Sequence, residues 1–372
     1  MPRAPLRFDR RELAGAFGDL GTSLPLLVGL TLACGLRGGS VLAVFGALQI
    51  MTALIYRLPM PVQPLKAMAA IAIAGKLSGA TLAGGGLAAG LLMLLLTATG
   101  LLEALARAIP KAVVRGIQCG LGLQLSWLAC REFLPAGGPS GWVLVFVCAV
   151  VVLAFRGNES LPPALIVIVL GLAWSASTTL DGRVLAGGFG FKAPLFAAPS
   201  IGDVWTGFIL LALPQIPLSL GNSILATRQV SLDYFGGRAP SVHRIGLTYS
   251  LMNLIGPLFG GVPVCHGSGG MAGHYFFGAR TGGSVLIIGA IFLILGLFFG
   301  GAFSEIARVF PRPMLGVLLL FEGLAMLSLT RDQAFEKKNF ALVLLIGLAC
   351  AGLPYGYLVG LAGGTLLHSL KR

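Results

Sequence analysis

Apolar runs of about 20 residues, each broken by glycine, proline or a few charges, follow one another along nearly the whole chain. That is the length a helix needs to cross about 30 Å of hydrocarbon while satisfying its own backbone N–H and C=O groups. A membrane β-barrel would show short strands of alternating polarity instead. With 56% hydrophobic and only 10% charged residues, and a mean hydropathy of +0.91, the 372-residue chain has too little polar surface for a soluble fold of this size. The pattern predicts an all-α polytopic membrane protein. The N-terminal MPRAPLRFDRRE is basic and leads straight into an apolar run, so no removable signal peptide is expected. The six cysteines (34, 119, 130, 148, 265 and 350) lie mostly in apolar runs without CxxC spacing. They read as small core residues, with no disulfide, metal or cofactor implied.

Apolar runs and breakers give fourteen elements, near 13–34, 41–57, 60–75, 82–106, 111–130, 141–155, 161–178, 205–227, 243–261, 264–278, 283–304, 313–329, 340–353 and 354–370. Elements three and ten are too short or interrupted for ordinary spans, and the last two are short as well. The net charge of +13 invites a nucleic-acid reading, but the basic residues are scattered among short loops, as topology determinants are. Of 26 Lys and Arg, 18 fall on the side of both termini and 7 on the other, with Lys66 inside element three. This bias places both termini in the cytoplasm.

The two halves echo each other about 200 residues apart. IPKAVVRGIQCGLGL from Ile109 resembles FPRPMLGVLLLFEGL from Phe310, and MPVQPLKAMA from Met60 resembles VPVCHGSGGMA from Val262. A weaker third pair is FGDLGTSLPL from Phe17 and LPQIPLSLGNS from Leu213. An offset of seven elements is odd, so the second copy must be inverted, giving a 7+7 inverted repeat. Inverted repeats with interrupted helices in matching places point to a secondary transporter with its substrate near mid-membrane.

Elements three and ten each open with proline, which lacks an amide hydrogen and favours extended backbone before it. A short strand leading into a half-helix is expected in each. Such a helix starts with free N–H groups carrying roughly half a positive charge, a ready oxyanion site. In HGSGG, from His266 to Gly270, no side chain stands between backbone and ligand at the glycines. Lys66 costs roughly 3 kcal/mol or more deep in an apolar segment. It therefore needs an anionic substrate, a carboxylate such as Asp19, or a route to the interface by snorkelling.

FGDLGTSLPL, PMPVQPLKAMAAIA, LPQIPLSLGNSILAT and PVCHGSGGMAGHYFFGARTGG resemble the signature segments of the molybdate transporter family, a branch of the sulfate permease superfamily. The resemblance spans nearly the whole chain. It implies a core domain of residues 1–110 and 205–305 and a gate domain of residues 111–204 and 306–372, with no regulatory domain after Arg372. Carried over by motif, the substrate site would gather Thr22, Ser23, Gln63, Lys66, Gln215, Asn222, His266, Gly267, Ser268, Gly269 and Gly270. Hydroxyls, amides and backbone N–H groups all donate to tetrahedral oxyanions. Against this stand bland readings: back-bonding for Thr22 and Ser23, helix–helix glue for Gln215 and Asn222, and capping for His266. His274 reads as structural or near the cytoplasmic face, and Arg280 as a cytoplasmic loop residue.

Asp19 and Glu322 are the acids expected to be buried, and so the coupling candidates. Importing a dianion against 100 mV, negative inside, costs about 4.6 kcal/mol, so uptake needs a coupled ion, and the proton is the one expected. The expected function is import of molybdate across the cytoplasmic (inner) membrane by a symporter whose core moves against its gate. Sulfate or tungstate transport and an anion channel of the same fold are the alternatives, and a homodimer is left open. A nucleobase permease would want acids reading the base edge. An enzyme is disfavoured, since no HExxH, nucleophile elbow or paired-carboxylate pattern appears.

Overall fold

The computed structural model describes residues 5–155, 163–178, 188–353 and 355–370. The first two residues expected in element seven, Pro354 at the start of element fourteen, and the basic loop residues Arg156 and Arg183 lie outside the described residues. The chain is mostly helical. In order it forms α1 (Arg10–Ala16), α2 (Leu20–Ala33), α3 (Gly38–Tyr56), β1 (Val62–Pro64), α4 (Lys66–Gly75), α5 (Gly79–Ala98) and α6 (Leu101–Ala108). Then come α7 (Lys111–Leu128), α8 (Gly138–Ala154) and α9 (Pro163–Thr178). A long bent helix, α10 (Ile201–Arg238), follows. The rest is α11 (Val242–Ile255), β2 (Val264–His266), α12 (Ser268–Phe276), α13 (Gly283–Val309), α14 (Arg312–Ser328), α15 (Lys337–Gly352) and α16 (Gly356–Ser369).

Seven helical stretches among the described residues are long and apolar enough to cross a membrane: Arg10–Ala33, Gly38–Tyr56, Gly79–Ala98, Lys111–Ala154, Ile201–Arg238, Gly283–Phe303 and Arg312–Gln333. The fourth is bent rather than straight. A π turn at Ala129–Phe133 and a 3₁₀ turn at Leu134–Gly137 end α7, and Gly138 at φ 59° redirects the chain into α8. In α10, Pro214 and Pro217 each remove an amide donor, and π turns at Phe208–Ala212 and Ser219–Ala226 flank them. These widened turns put the polar face of α10, from Gln215 to Asn222, inside the protein.

The helices pack in two groups. In one, α3 lies along α13, and α5 lies along α11 and the start of α10. Side chains are kept small where α3 meets α13: a methyl on Gly46 would strike the backbone of Gly289 and Leu293. Close backbone approach of this kind substitutes for the hydrophobic drive that lipid does not supply. In the other group, α7 packs on α14, α15 and α16. Pro110 caps α7 and Pro311 caps α14, each in extended backbone. Between the groups, α2 touches α4, α9 and α14.

β1 and β2 form a buried antiparallel ladder, pairing Val62 with His266, Gln63 with Cys265 and Pro64 with Val264. Each strand is also clamped from the helix before it. Gln49 of α3 exchanges two hydrogen bonds with the backbone of Val62 (2.8 and 2.9 Å), and Asn253 of α11 does the same for Val264 (2.6 and 2.9 Å). These amides satisfy backbone groups that a three-residue ladder leaves unpaired, which would be costly away from water. α4 starts two residues beyond one end of the ladder, and α12 two residues beyond the other. At ten and nine residues, each helix reaches only about 15 Å, half the thickness of a bilayer core.

Candidate functional site

The ladder brings two helix starts close together, and the protein treats them differently. At α4, Gln215 Oε1 accepts from the amides of Ala67 (3.0 Å) and Met68 (3.1 Å). Its Nε2 donates to Ser219 Oγ (3.1 Å), which in turn meets Tyr249 Oη (2.8 Å). Gln215, expected to face a ligand, is thus a side-chain cap on the first turn of α4, fixed from behind by α11.

The start of α12 has no such cap. The amides of Ser268, Gly269 and Gly270 have no hydrogen-bond partner among the described residues, and the first helical bond is from Met271 to Gly267. Gly269 is exposed, and a methyl group on it would meet nothing within 4 Å. Ser268 Oγ donates to Asn222 Oδ1 (3.1 Å), which also receives Gln118 Nε2 of α7 at 3.4 Å. Gly267 must be glycine for a steric reason, since a Cβ there would fall on the Gln63 side chain. At Gly270 a Cβ would crowd Pro61, Gln63 and Asp19 at 2.8–3.0 Å.

Ser268 and Gln118 line a cavity of about 880 Å³. Its wall carries Arg107, Lys111, Arg115 and Arg228 against two acids, Glu103 and Asp233. Lys111 and Arg115 both pair with Asp332 (2.8 and 2.7 Å), and Arg115 also donates to Gln118 Oε1 (2.8 Å). A hydrogen-bonded series thus runs from Asp332 through Arg115, Gln118 and Asn222 to Ser268.

The expected acids form two further clusters. Asp19 accepts from Ser23 Oγ (2.7 Å) and from Gln63 Nε2, while Gln63 Oε1 is buried without a hydrogen-bond partner among the described residues. Lys66 is paired with Glu322 of α14, whose other oxygen accepts from Thr22 Oγ1 (2.9 Å). Asp19 touches the α12 start through Gly270, whereas Lys66 does not line the large cavity. His266 is buried, with Nε2 at 2.7 Å from Thr248 Oγ1 and its ring edge-on to Tyr56. That places its imidazole in a packed polar contact rather than at the open amides. His274 is buried on Ser284 Oγ (3.0 Å), and the Arg280 guanidinium lies over the Tyr275 ring at 3.6 Å.

Sequence reading missed several of these partners. Glu12 is buried and accepts from the amides of Arg280, Thr281 and Ser284, fastening α1 to the turn after α12. Gln49 and Asn253 were also overlooked. The available signal was a polar amide in an apolar helix 11 to 13 residues before each proline-led strand. Gln118 carried no sequence signal beyond being a polar residue in an apolar run.

Comparison with known proteins follows the same residues. A family model described as "Molybdate transporter of MFS superfamily" matches residues 11–125 and 207–326, two blocks that contain every candidate residue named above. Molybdate transporter 2 of Arabidopsis thaliana is 34% identical over 411 residues, covering 97% of this chain and 87% of that protein. Among solved structures, the transmembrane domain of a cyanobacterial bicarbonate transporter, BicA, superposes with a TM-score of 0.66 at 19% identity, covering 94% of this chain and 99% of that one. The murine Solute Carrier 26 family member A9 anion transporter in the inward-facing state gives 0.74 at 14% identity, covering 100% of this chain and 70% of that one. At such identities the likeness is one of fold.

Proposed function

Because this chain is a multi-pass membrane protein belonging to the molybdate transporter family, we propose that it imports molybdate across the cytoplasmic membrane by proton symport. The observation that carries the substrate class is the start of α12: three amides without partners among the described residues, beginning at Ser268, which lines a cavity whose walls carry four basic side chains. Helix-start amides favour anions, and the cations around them raise the local anion concentration. A tetrahedral dianion would take the amides of Ser268, Gly269 and Gly270, and the Ser268 hydroxyl once it turns from Asn222 Oδ1. Lys66, Thr22 and Ser23 lie deeper, where they act through charge and short hydrogen bonds.

In this reading the architecture is a fourteen-element 7+7 inverted repeat. The paired strand–helix units and the proline-capped α7 and α14 are corresponding parts of the two copies. Residues 1–110 and 205–305 move as a core against a gate of residues 111–204 and 306–372, and the Gln118–Asn222 and Glu322–Lys66 contacts join the two. Both termini face the cytoplasm, so the large cavity, ringed by basic residues assigned to that side, opens inward. Likeness to an inward-facing anion transporter supports that posture. A homodimer fits this reading.

Uptake of radiolabelled molybdate into proteoliposomes tests it. Accumulation driven by an inward proton gradient and abolished by a protonophore is the expected result. Uptake blind to the gradient contradicts the symport, and currents under voltage without solute coupling would make the protein a channel. Tungstate and sulfate competition then ranks the oxyanions, since all three are tetrahedral dianions that these donors fit. Preference for sulfate would overturn the substrate while leaving the anion site standing.

A further inference from the structure

We propose that Glu322 is a built-in stand-in for the transported oxyanion, occupying Lys66 and Thr22 until a proton or the substrate releases it. The inference rests on the oxyanion-symport reading above and supplies its coupling step. One carboxylate oxygen of Glu322 takes the Lys66 ammonium and the other takes the Thr22 hydroxyl at 2.9 Å. An oxyanion held on the α12 amides would turn its remaining oxygens toward the same two donors, a cation and a hydroxyl. Glu322 stands on α14 and its two donors on α2 and α4, so the carboxylate and the groups it occupies are carried by different helices. Lys66 is 3% exposed and Glu322 12%, so the removable partner is the one nearer solvent.

The charges around Glu322 make the exchange proton-linked. Lys66 faces it from α4, and Asp19, held by Ser23 and Gln63, stands beyond Lys66. Of the other elements packed on α14, α7 carries Lys111 and Arg115, which are committed to Asp332. Arg131 and Glu132 lie on the exposed turn after α7 and Arg331 on the exposed turn after α14, and the described residues of α8 and α9 carry no charge. One lysine therefore serves two carboxylates, and a dianion arriving beside them is opposed by both. Protonation of Glu322 removes one opposing charge and frees Lys66, so proton and oxyanion bind together, each strengthening the other by the same factor. The sign follows: affinity for the anion rises as pH falls, by up to about tenfold per pH unit for one linked proton.

Molybdate binding to purified full-length protein from pH 5.5 to 8.5 tests this, with wild type beside Glu322→Gln. The expected result is an acid-strengthened affinity in wild type and, in the variant, binding at pH 8 at least tenfold tighter than wild type with no pH slope. A variant that binds more weakly, or keeps the wild-type slope, overturns the proposal. Should Glu322→Gln fail to fold, difference infrared spectroscopy of wild type decides: molybdate must raise a protonated-carboxyl C=O band, and its absence contradicts the stand-in. Wild type that binds sulfate but not molybdate refutes the substrate reading alone, and the same titration is then read with sulfate. Binding of neither anion at any pH overturns both.

Discussion

The starts of α4 and α12 are built from related proline-led sequences, lie at opposite ends of one ladder, and differ in what covers their amides. Gln215 closes α4, leaving Ala67 and Met68 no capacity for a ligand. At α12 the corresponding amides have no partner among the described residues, and Gly269 leaves open space beside them. A capped start contributes rigidity and an uncapped one contributes binding, because an unpaired amide is the donor an anion can still use. In the proposed function the pair divides the work: α4 carries the charge on Lys66, and α12 carries the hydrogen bonds. This corrects the symmetric anion cradle expected from sequence, in which both motifs would present free amides.

Four substitutions can break or sharpen that contrast. The largest effect is expected from Gly267→Val, whose side chain collides with Gln63 at the corner that aims α12. Overpacking of this kind costs about 1–3 kcal/mol, and because it falls on the turn that aims the amides, molybdate affinity by isothermal titration should fall by up to about 100-fold. Gln215→Leu should act on stability instead, because it strands two buried amides: a loss of about 2 kcal/mol, read as a lower Tm, with affinity changed less than about threefold. If binding collapsed while Tm held, α4 rather than α12 would be the anion end. Ser268→Ala removes one donor and should weaken binding by about fivefold, near 1 kcal/mol. Gly269→Ala adds a methyl to open space and should stay within about twofold, since amides bind and side chains do not. A large loss there would mean that the anion sits on the Gly269 Cα itself.

Much of this was legible in residues. β1 and β2 fall within the proline-led stretches because Pro61, Pro64 and Pro263 favour extended backbone, whatever packs around them. The run from Gly267 to Gly270 marked a place where backbone comes close to something. Lys66 announced that it needed a partner, yet nothing local named Glu322, which is 256 positions away. The alternative weighed for it, Asp19, is bonded to Ser23 and Gln63 instead. Gln215 was visible as a polar residue in an apolar helix. Only the fold shows that it faces the backbone of α4, 147 and 148 positions earlier. Long-range hydrogen bonds of this sort have no periodicity and no local composition, so a single sequence cannot reveal them.

The most direct test is to locate the anion itself, by diffraction from crystals grown with molybdate and collected above and below the molybdenum absorption edge. An anomalous peak is expected at the start of α12, with oxygens in hydrogen-bond reach of the Ser268, Gly269 and Gly270 amides. A peak at the start of α4 with the α12 amides still unpaired would contradict the account.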